Sequence, residues 1–479
     1  MRDLPNRLDF LSETVALSTH GNTKNVVITA MEVRGPFDLA AGEKAARATA
    51  KSFPQLMSTL KEVSVWGMHY LAWERRPNEP LQVFFAELPP HRPTDNLLDD
   101  VIRVMQPRLD RDWDLFREVA VEFHVIRLGE DHNIMACVCH HVAADAATAS
   151  EFGREFLLRY HEIVTGQRPA WADDKIALST VKKRAIRTRA KGWIETIKES
   201  HHGFMQIFER PERPVGSGTK KDRNQYFAKR VFSEDESARM VSLAMQQGVN
   251  FVDALTACAN LAIDAWNRGR GREPGLVTTA MTVNTRGRMS DFDTPNNSSV
   301  IFFRTTPDQR QDFVEFRRTL ARMRMRHFRE HKDLTTLRNI RRLNGATRLF
   351  PYSIRKRLIH FFLQNHKFSI AVTFLGTVWP KLINGKPSAE SSVTRSAELR
   401  VAEVHGVGYK LHSGTELLLI VYAFHNRLNL ILEASGSLFT KSETEQFLDL
   451  IVEILCADQR LDAQQDAAPA PRRLSSTKR

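Results

Sequence analysis

Two adjacent histidines, His140 and His141, are followed four residues after the second by an aspartate, Asp145. Imidazole titrates near neutrality, so it can take a proton from a hydroxyl or amine and return it within one reaction cycle. A carboxylate held nearby can fix the local geometry. In a chain with 17 histidines, chance supplies roughly 0.6 His-His pairs, and roughly 0.07 with an acid at this position. A second pair, His201-His202, has Gln206 where the acid would stand and lies in a basic, helix-like stretch with no strand before it. It reads as solvated surface.

The elements around the first pair suit the chemistry. Residues 133–138 are a short apolar run, as a buried strand would be. From Ala146 to Val164 the pattern is helical, with Phe152, Phe156, Tyr160 and Ile163 spaced by three and four and Gly166 as a stop. A strand thus delivers the histidines to a turn at the mouth of a helix, where an imidazole can serve as general base.

The run from His140 to Ala146 resembles the His-His-x-x-x-Asp-Gly signature of the chloramphenicol-acetyltransferase-like superfamily, with Ala146 in the glycine's place. That group includes condensation domains, wax-ester synthases and polyketide-associated acyltransferases. The resemblance implies an α/β (α+β sandwich) fold of two related domains forming a V with a tunnel between them. It implies His141 as the base, His140 as a supporting residue, and Asp145 as a structural residue paired with an arginine. Residues 54–60 resemble the family's Arg-His-Pro-x-Leu-Arg-Thr segment, but the arginine falls on Met57. A β-branched strand at 277–283 ends in Asn284-Thr285-Arg286, and 296–303 follows, resembling the family's Pro-Val-Asn-x-Arg … Gly-Asn strand pair. Arg286 is therefore the candidate partner for Asp145. Residues 369–376 resemble the family strand that crosses between domains beside the active site. On it Thr373 is the candidate oxyanion donor, and Gly376 is expected beside the substrate.

Length and composition allow this reading. The chain has 479 residues, 42% hydrophobic and 26% charged, enough for two ordinary domains. No apolar run reaches the ~18 residues of a membrane span, and residues 1–7 lack a signal-peptide core. A cytoplasmic protein is expected, with peripheral contact at the inner membrane surface left open. Cys137, Cys139, Cys258 and Cys456 are expected to be reduced, and no metal site is visible. The expected domains are 1–175 and 228–460, joined by a basic linker at 176–227 and followed by a disordered tail at 461–479. In the first, Phe84, Phe85 and the 113–123 stretch read as core. In the second, Ser233 with Glu236 reads as a capping box, 250–267 as a helix, 417–423 with 428–434 as a hairpin, and 442–456 as a closing helix.

Net charge is +13. Much of the excess lies between Arg317 and Arg357, interleaved with Phe and Met, and reads as a pair of amphipathic helices with solvated basic faces. Alternatively, this region holds coenzyme A phosphates or an acyl carrier protein, or meets an anionic membrane. Nucleic acid is not expected, because no motif for it accompanies the charge. The reaction implied is direct acyl transfer from a coenzyme A or phosphopantetheine thioester to a hydroxyl or amine, with no bound cofactor. The alternative is a non-catalytic protein of the same fold that binds a thioester, a carrier or a membrane.

Overall fold

The structure is a computed structural model and describes residues 7–76, 78–89, 97–168, 209–284, 296, 298–378, 395–396, 399–411 and 415–466. The first half runs Phe10–Ser18 (α1), Val26–Arg34 (β1), Leu39–Lys51 (α2), Ser58–Val65 (β2), Met68–Arg75 (β3), Gln82–Glu87 (β4), Leu97–Leu109 (α3), Val121–Gly129 (β5), His132–His140 (β6) and Ala146–Thr165 (α4). The second runs Gln225–Val231 (β7), Glu234–Gln246 (α5), Phe251–Arg268 (α6), Val277–Asn284 (β8), Ser298–Thr305 (β9), Phe313–Arg329 (α7), Lys332–Thr347 (α8), Tyr352–Asn365 (α9), Ile370–Thr377 (β10), Arg395–Ser396 (β11), Leu399–Tyr409 (β12), Leu417–Phe424 (β13), Arg427–Ser435 (β14) and Lys441–Asp466 (α10).

Local chemistry sets many of these boundaries. Ser233 and Glu236 close a reciprocal capping box on α5, and Asn250 caps α6 through the Asp253 amide. Gly166 ends α4 at φ 70°, a left-handed position that glycine enters without penalty. Ile163, the last residue of the helical spacing, is 40% exposed in the last turn of α4, and Phe85, read as core, is 47% exposed on the edge strand β4. Helix α10 runs on to Asp466, through residues 461–466 that were expected to be disordered.

Among the described residues two six-stranded sheets carry the fold, in the orders β11-β12-β1-β6-β5-β4 and β7-β14-β13-β10-β8-β9, and β2 pairs with β3 in a separate hairpin. The strand that crosses is β12. It leaves the second half of the chain and pairs antiparallel with β1 from Val26↔Tyr409 to Arg34↔Arg400. Strand β10, expected to cross, stays in the second sheet with parallel partners on both sides, β8 and β13. Part of the expected linker also belongs to the second lobe, since Trp266 Nε1 donates to the Val215 carbonyl at 2.8 Å. Residues 176–208, with His201 and His202, lie outside the described residues.

Strand alternation divides the apolar side chains between two cores. On β13, Leu417, Leu419 and Val421 pack into the second lobe's own core with α6 and α10. Leu418, Ile420 and Tyr422 point the other way and join the core of the first lobe. The core of the first lobe therefore takes in one face of the second sheet, and that sheet is buried on both faces over β13.

The basic region forms three helices, α7, α8 and α9, and parts of it are internal. Arg355 is fully buried, and Arg317 is 1% exposed with its guanidinium over the Phe313 ring. Arg324 holds Asp253 through two bonds of 2.8 and 3.0 Å. Arg348 and Arg355 both reach Glu13 of α1 at 2.7 Å. Arg324, Arg348 and Arg355 are turned inward because buried carboxylates wait for them, so a continuous solvated basic face does not form. Removing the acid from such a site strands the fully buried Arg355 guanidinium and the half-buried Arg348 beside it. Glu13→Gln is expected to cost about 3–5 kcal/mol, read from the urea unfolding midpoint; a loss below about 1 kcal/mol would show that solvent reaches the site.

Candidate active site

Strand β6 ends at His140, and His141 opens the turn into α4. The backbone fixes this turn first. The His140 N–H donates to the Ala120 carbonyl at 3.0 Å, and the His141 N–H donates to the Asn25 carbonyl at 2.7 Å. The His141 carbonyl accepts from Asn296 Nδ2 at 2.5 Å. Asn25 itself sits at φ 51°, a left-handed position that asparagine tolerates better than most residues.

His140 is fully buried and held at both ring nitrogens. Its Nδ1 accepts from the Val142 N–H at 3.1 Å, which places the ring proton on Nε2, 3.1 Å from Thr19 Oγ1. Thr19 Oγ1 donates to the Val15 carbonyl at 2.9 Å and accepts from Asn25 Nδ2 at 3.0 Å. Burial, helped by repulsion from His141, lowers the His140 pKa to about 3. A neutral, fixed imidazole of this kind braces its neighbour.

His141 borders the cavity, and its Nδ1 is buried. Nε2 is the nitrogen left for a reactant. Burial lowers its pKa below the ordinary histidine value; the Asp145 carboxylate and the His141 and Ala144 backbone oppose that shift in part. The ring is therefore neutral at pH 7 and ready to accept a proton. Asp145 is buried at the N-cap of α4, where its Oδ1 accepts from the Thr148 N–H at 3.0 Å. It acts on the helix and, through space, on His141. Met57 is buried and apolar, so no cation stands there. Arg286, the candidate partner of Asp145, lies outside the described residues.

The cavity beside His141 has a volume of about 1390 Å³ and draws its walls from both lobes. Thr373 lies on its wall, half-buried, on the face of β10 that alternation turns toward the first lobe. Gly376 sits at φ 74° where the pairing of β10 with β13 slips by one residue. That slip presents Leu375 and Thr377 to the cavity; Gly376 itself is not among the lining residues.

Several residues of the site carry no local signal in the sequence. Thr19 and Asn25 brace the histidines from more than a hundred positions away. Two further histidines line the cavity. His327 stacks on Phe303 at 5.3 Å, with burial lowering its pKa to about 4, and His366 meets the Phe302 ring edge-on at 4.9 Å. Asn296 stood in a strand entry singled out in the sequence, but its contact with His141 needs the second lobe in place. Among the described residues no cluster of His, Cys, Asp or Glu could hold a metal ion, and no helix is long and apolar enough to cross a membrane. Cys137 and Cys139 are free thiols, with their sulfurs 3.3 Å apart.

No family model matches the chain. One curated relative, the nonribosomal peptide synthetase kk1B of Curvularia clavata, is 25% identical over 199 residues, 40% of this chain; the aligned stretch spans 1% of that much longer protein. Among solved structures, the trichothecene 15-O-acetyltransferase of Fusarium sporotrichioides superposes with a TM-score of 0.66 at 12% identity, over 94% of each chain. The first condensation domain of the calcium-dependent antibiotic synthetase gives 0.62 at 14% identity, over 95% of this chain and 97% of its own. The chain has the two-lobed chloramphenicol-acetyltransferase-like fold that these structures share.

The charge on Asp145 can be separated from its cap. Asparagine caps helices about as well as aspartate, so Asp145→Asn should keep α4 and remove the carboxylate that raises the His141 pKa. NMR titration should place the wild-type His141 midpoint below 6.5 and the variant's lower still. An unchanged midpoint would show that Asp145 acts through the helix alone. Unfolding returns both imidazoles toward 6.5, so the unfolded state binds more protons at acid pH. Stability is expected to fall as pH drops below about 6.5.

Proposed function

We propose that the protein is an acyltransferase of secondary-metabolite biosynthesis, moving an acyl group from a coenzyme A or carrier-bound phosphopantetheine thioester to a hydroxyl or amine. One observation carries the reading: a neutral imidazole, His141, borders a cavity that two lobes build together, with a buried carboxylate beside it. A volume of about 1390 Å³ exceeds the ~300–1,000 Å³ usual for a single small ligand, so donor and acceptor fit together. Arg304, Lys332 and Arg342 border the same space and suit the phosphates of either thioester carrier.

His141 Nε2 takes the acceptor's proton as the acceptor oxygen or nitrogen attacks the thioester carbonyl carbon. The C=O π pair moves onto oxygen to give a tetrahedral oxyanion. The Thr373 hydroxyl, on the cavity wall, donates to that oxyanion. The intermediate collapses, the carbon–sulfur bond breaks, and His141 returns the proton to the departing thiolate. No acyl-enzyme is required. His140 holds the turn and does not exchange protons near neutral pH, since its ring is fixed on both sides. The fold is shared by an O-acetyltransferase and by condensation domains, and both kinds of acceptor fit this scheme.

His141→Ala should lower acyl transfer about 100- to 10,000-fold with an unchanged circular-dichroism spectrum, because the ring lies at the cavity and not in the core. Turnover equal to wild type in the folded variant would overturn the assignment. A wild-type protein that binds the thioester and never transfers it would be a binding protein of the same fold.

A further inference from the structure

The outer surface formed by the β2–β3 hairpin and α9 has a composition that folding does not ask for. Trp66, at the hairpin tip, is 91% exposed and lies at φ 54°, a left-handed conformation that a bulky residue adopts only under strain. The turn before α9 adds Leu349, 69% exposed, and Phe350. Contacts bring these pieces together. The His69 N–H donates to the Arg348 carbonyl at 2.7 Å, and the Tyr352 N–H donates to Glu62 Oε1 at 2.9 Å. On α9, Ile354, Arg357 and Phe361 are exposed at spacings of three and four, so they share one outward face.

The sequence that contains α9 is rich in cations and poor in acids. Between Asp333 and Glu390 the sequence contains no Asp or Glu, while Arg338, Arg341, Arg342, Arg348, Arg355, Lys356, Arg357, Lys367, Lys381 and Lys386 all fall within it. Two of these cations, Arg348 and Arg355, are spent on Glu13. Arg341 and Arg357 are exposed. Of the carboxylates that reach this face, Glu62 is engaged by His69 and the Tyr352 amide, while Asp112 and Asp114, which act on Lys356 and Tyr352, pair with Lys24 and Arg117.

We propose that this surface docks on an anionic phospholipid bilayer, with Trp66, Leu349, Phe350, Ile354 and Phe361 entering the interface and Arg341 and Arg357 meeting the headgroups. Protruding aromatic and aliphatic tips flanked by arginine match what an interfacial membrane contact requires. Helix α9 also supplies Phe362 and Leu363 to the cavity wall. One helix thus borders both the proposed lipid-facing surface and the cavity. The docking does not depend on the reaction proposed above.

Co-sedimentation of the full chain with vesicles tests it. Binding is expected to vesicles of phosphatidylcholine with phosphatidylglycerol, to fall with added salt, and to be weak on phosphatidylcholine alone. Trp66→Ser with Phe350→Ser, and separately Arg341→Glu with Arg357→Glu, should each reduce partitioning by about tenfold or more. Conversion of a short, water-soluble thioester should be unchanged in both pairs, which separates docking from chemistry. In the wild type, Trp66 emission should shift to the blue on anionic vesicles, a change absent from Trp66→Ser. No sedimentation, or equal sedimentation by the Trp66→Ser, Phe350→Ser pair, would overturn the proposal. So would loss of carrier-bound thioester use with unaltered vesicle binding, which would make the surface a carrier-docking face.

Discussion

The site depends on one hydrogen bond, from the His141 N–H to the Asn25 carbonyl. It extends the β1–β6 ladder one residue past its regular end, where Val26 lies opposite His140. Without it the turn would be free to choose its path into α4. With it, the imidazole leaves the sheet at a fixed point. The Asn25 side chain and Thr19 then tie the same corner to α1, and Asn296 ties it to the second lobe. Buried polar networks of this kind hold a single arrangement because each member would be costly to leave unpaired.

Burial has opposite consequences for the two histidines. His140 gives up titration near neutrality and gains two ring hydrogen bonds, so its ring is a strut. His141 keeps one nitrogen toward the cavity, and the carboxylate of Asp145 limits how far burial depresses its basicity. The carboxylate also satisfies an amide at the start of α4 that would otherwise lack an acceptor. One side chain thus joins helix geometry to proton affinity, which is why the spacing from histidine to acid is set by the length of a turn.

The strand, turn and helix around the histidines were legible because their signals are local: an apolar run, a capping residue, a spacing of three and four. The same holds for the capping box at Ser233 and the hairpin of β13 and β14. What escaped is long-range. Nothing near Arg355 announces that Glu13 lies buried opposite it, so a cation that is core reads as surface. Residues 370–377 and 399–409 are both strand-like in sequence, and alternation says which faces are apolar but not which sheet accepts each strand. Exposure at Phe85 and Ile163 follows from an edge and a helix end, neither visible without the assembled sheet. Arg286 lies outside the described residues.

The return of β12 to the first sheet also bears on how the chain is made. Strand β1 occupies an inner place in that sheet, yet its second neighbour is encoded far downstream. During synthesis β1 has β6 on one side and an open row of backbone groups on the other until Tyr409 has left the ribosome. At about 5–20 residues per second, the interval after His140 lasts roughly 10–50 s. An apolar strand with an unpaired edge is a template for association with other chains. The nascent first lobe therefore carries an unpaired inner strand while most of the second half is made, and a ribosome that stalls before β12 leaves a sheet with a missing strand.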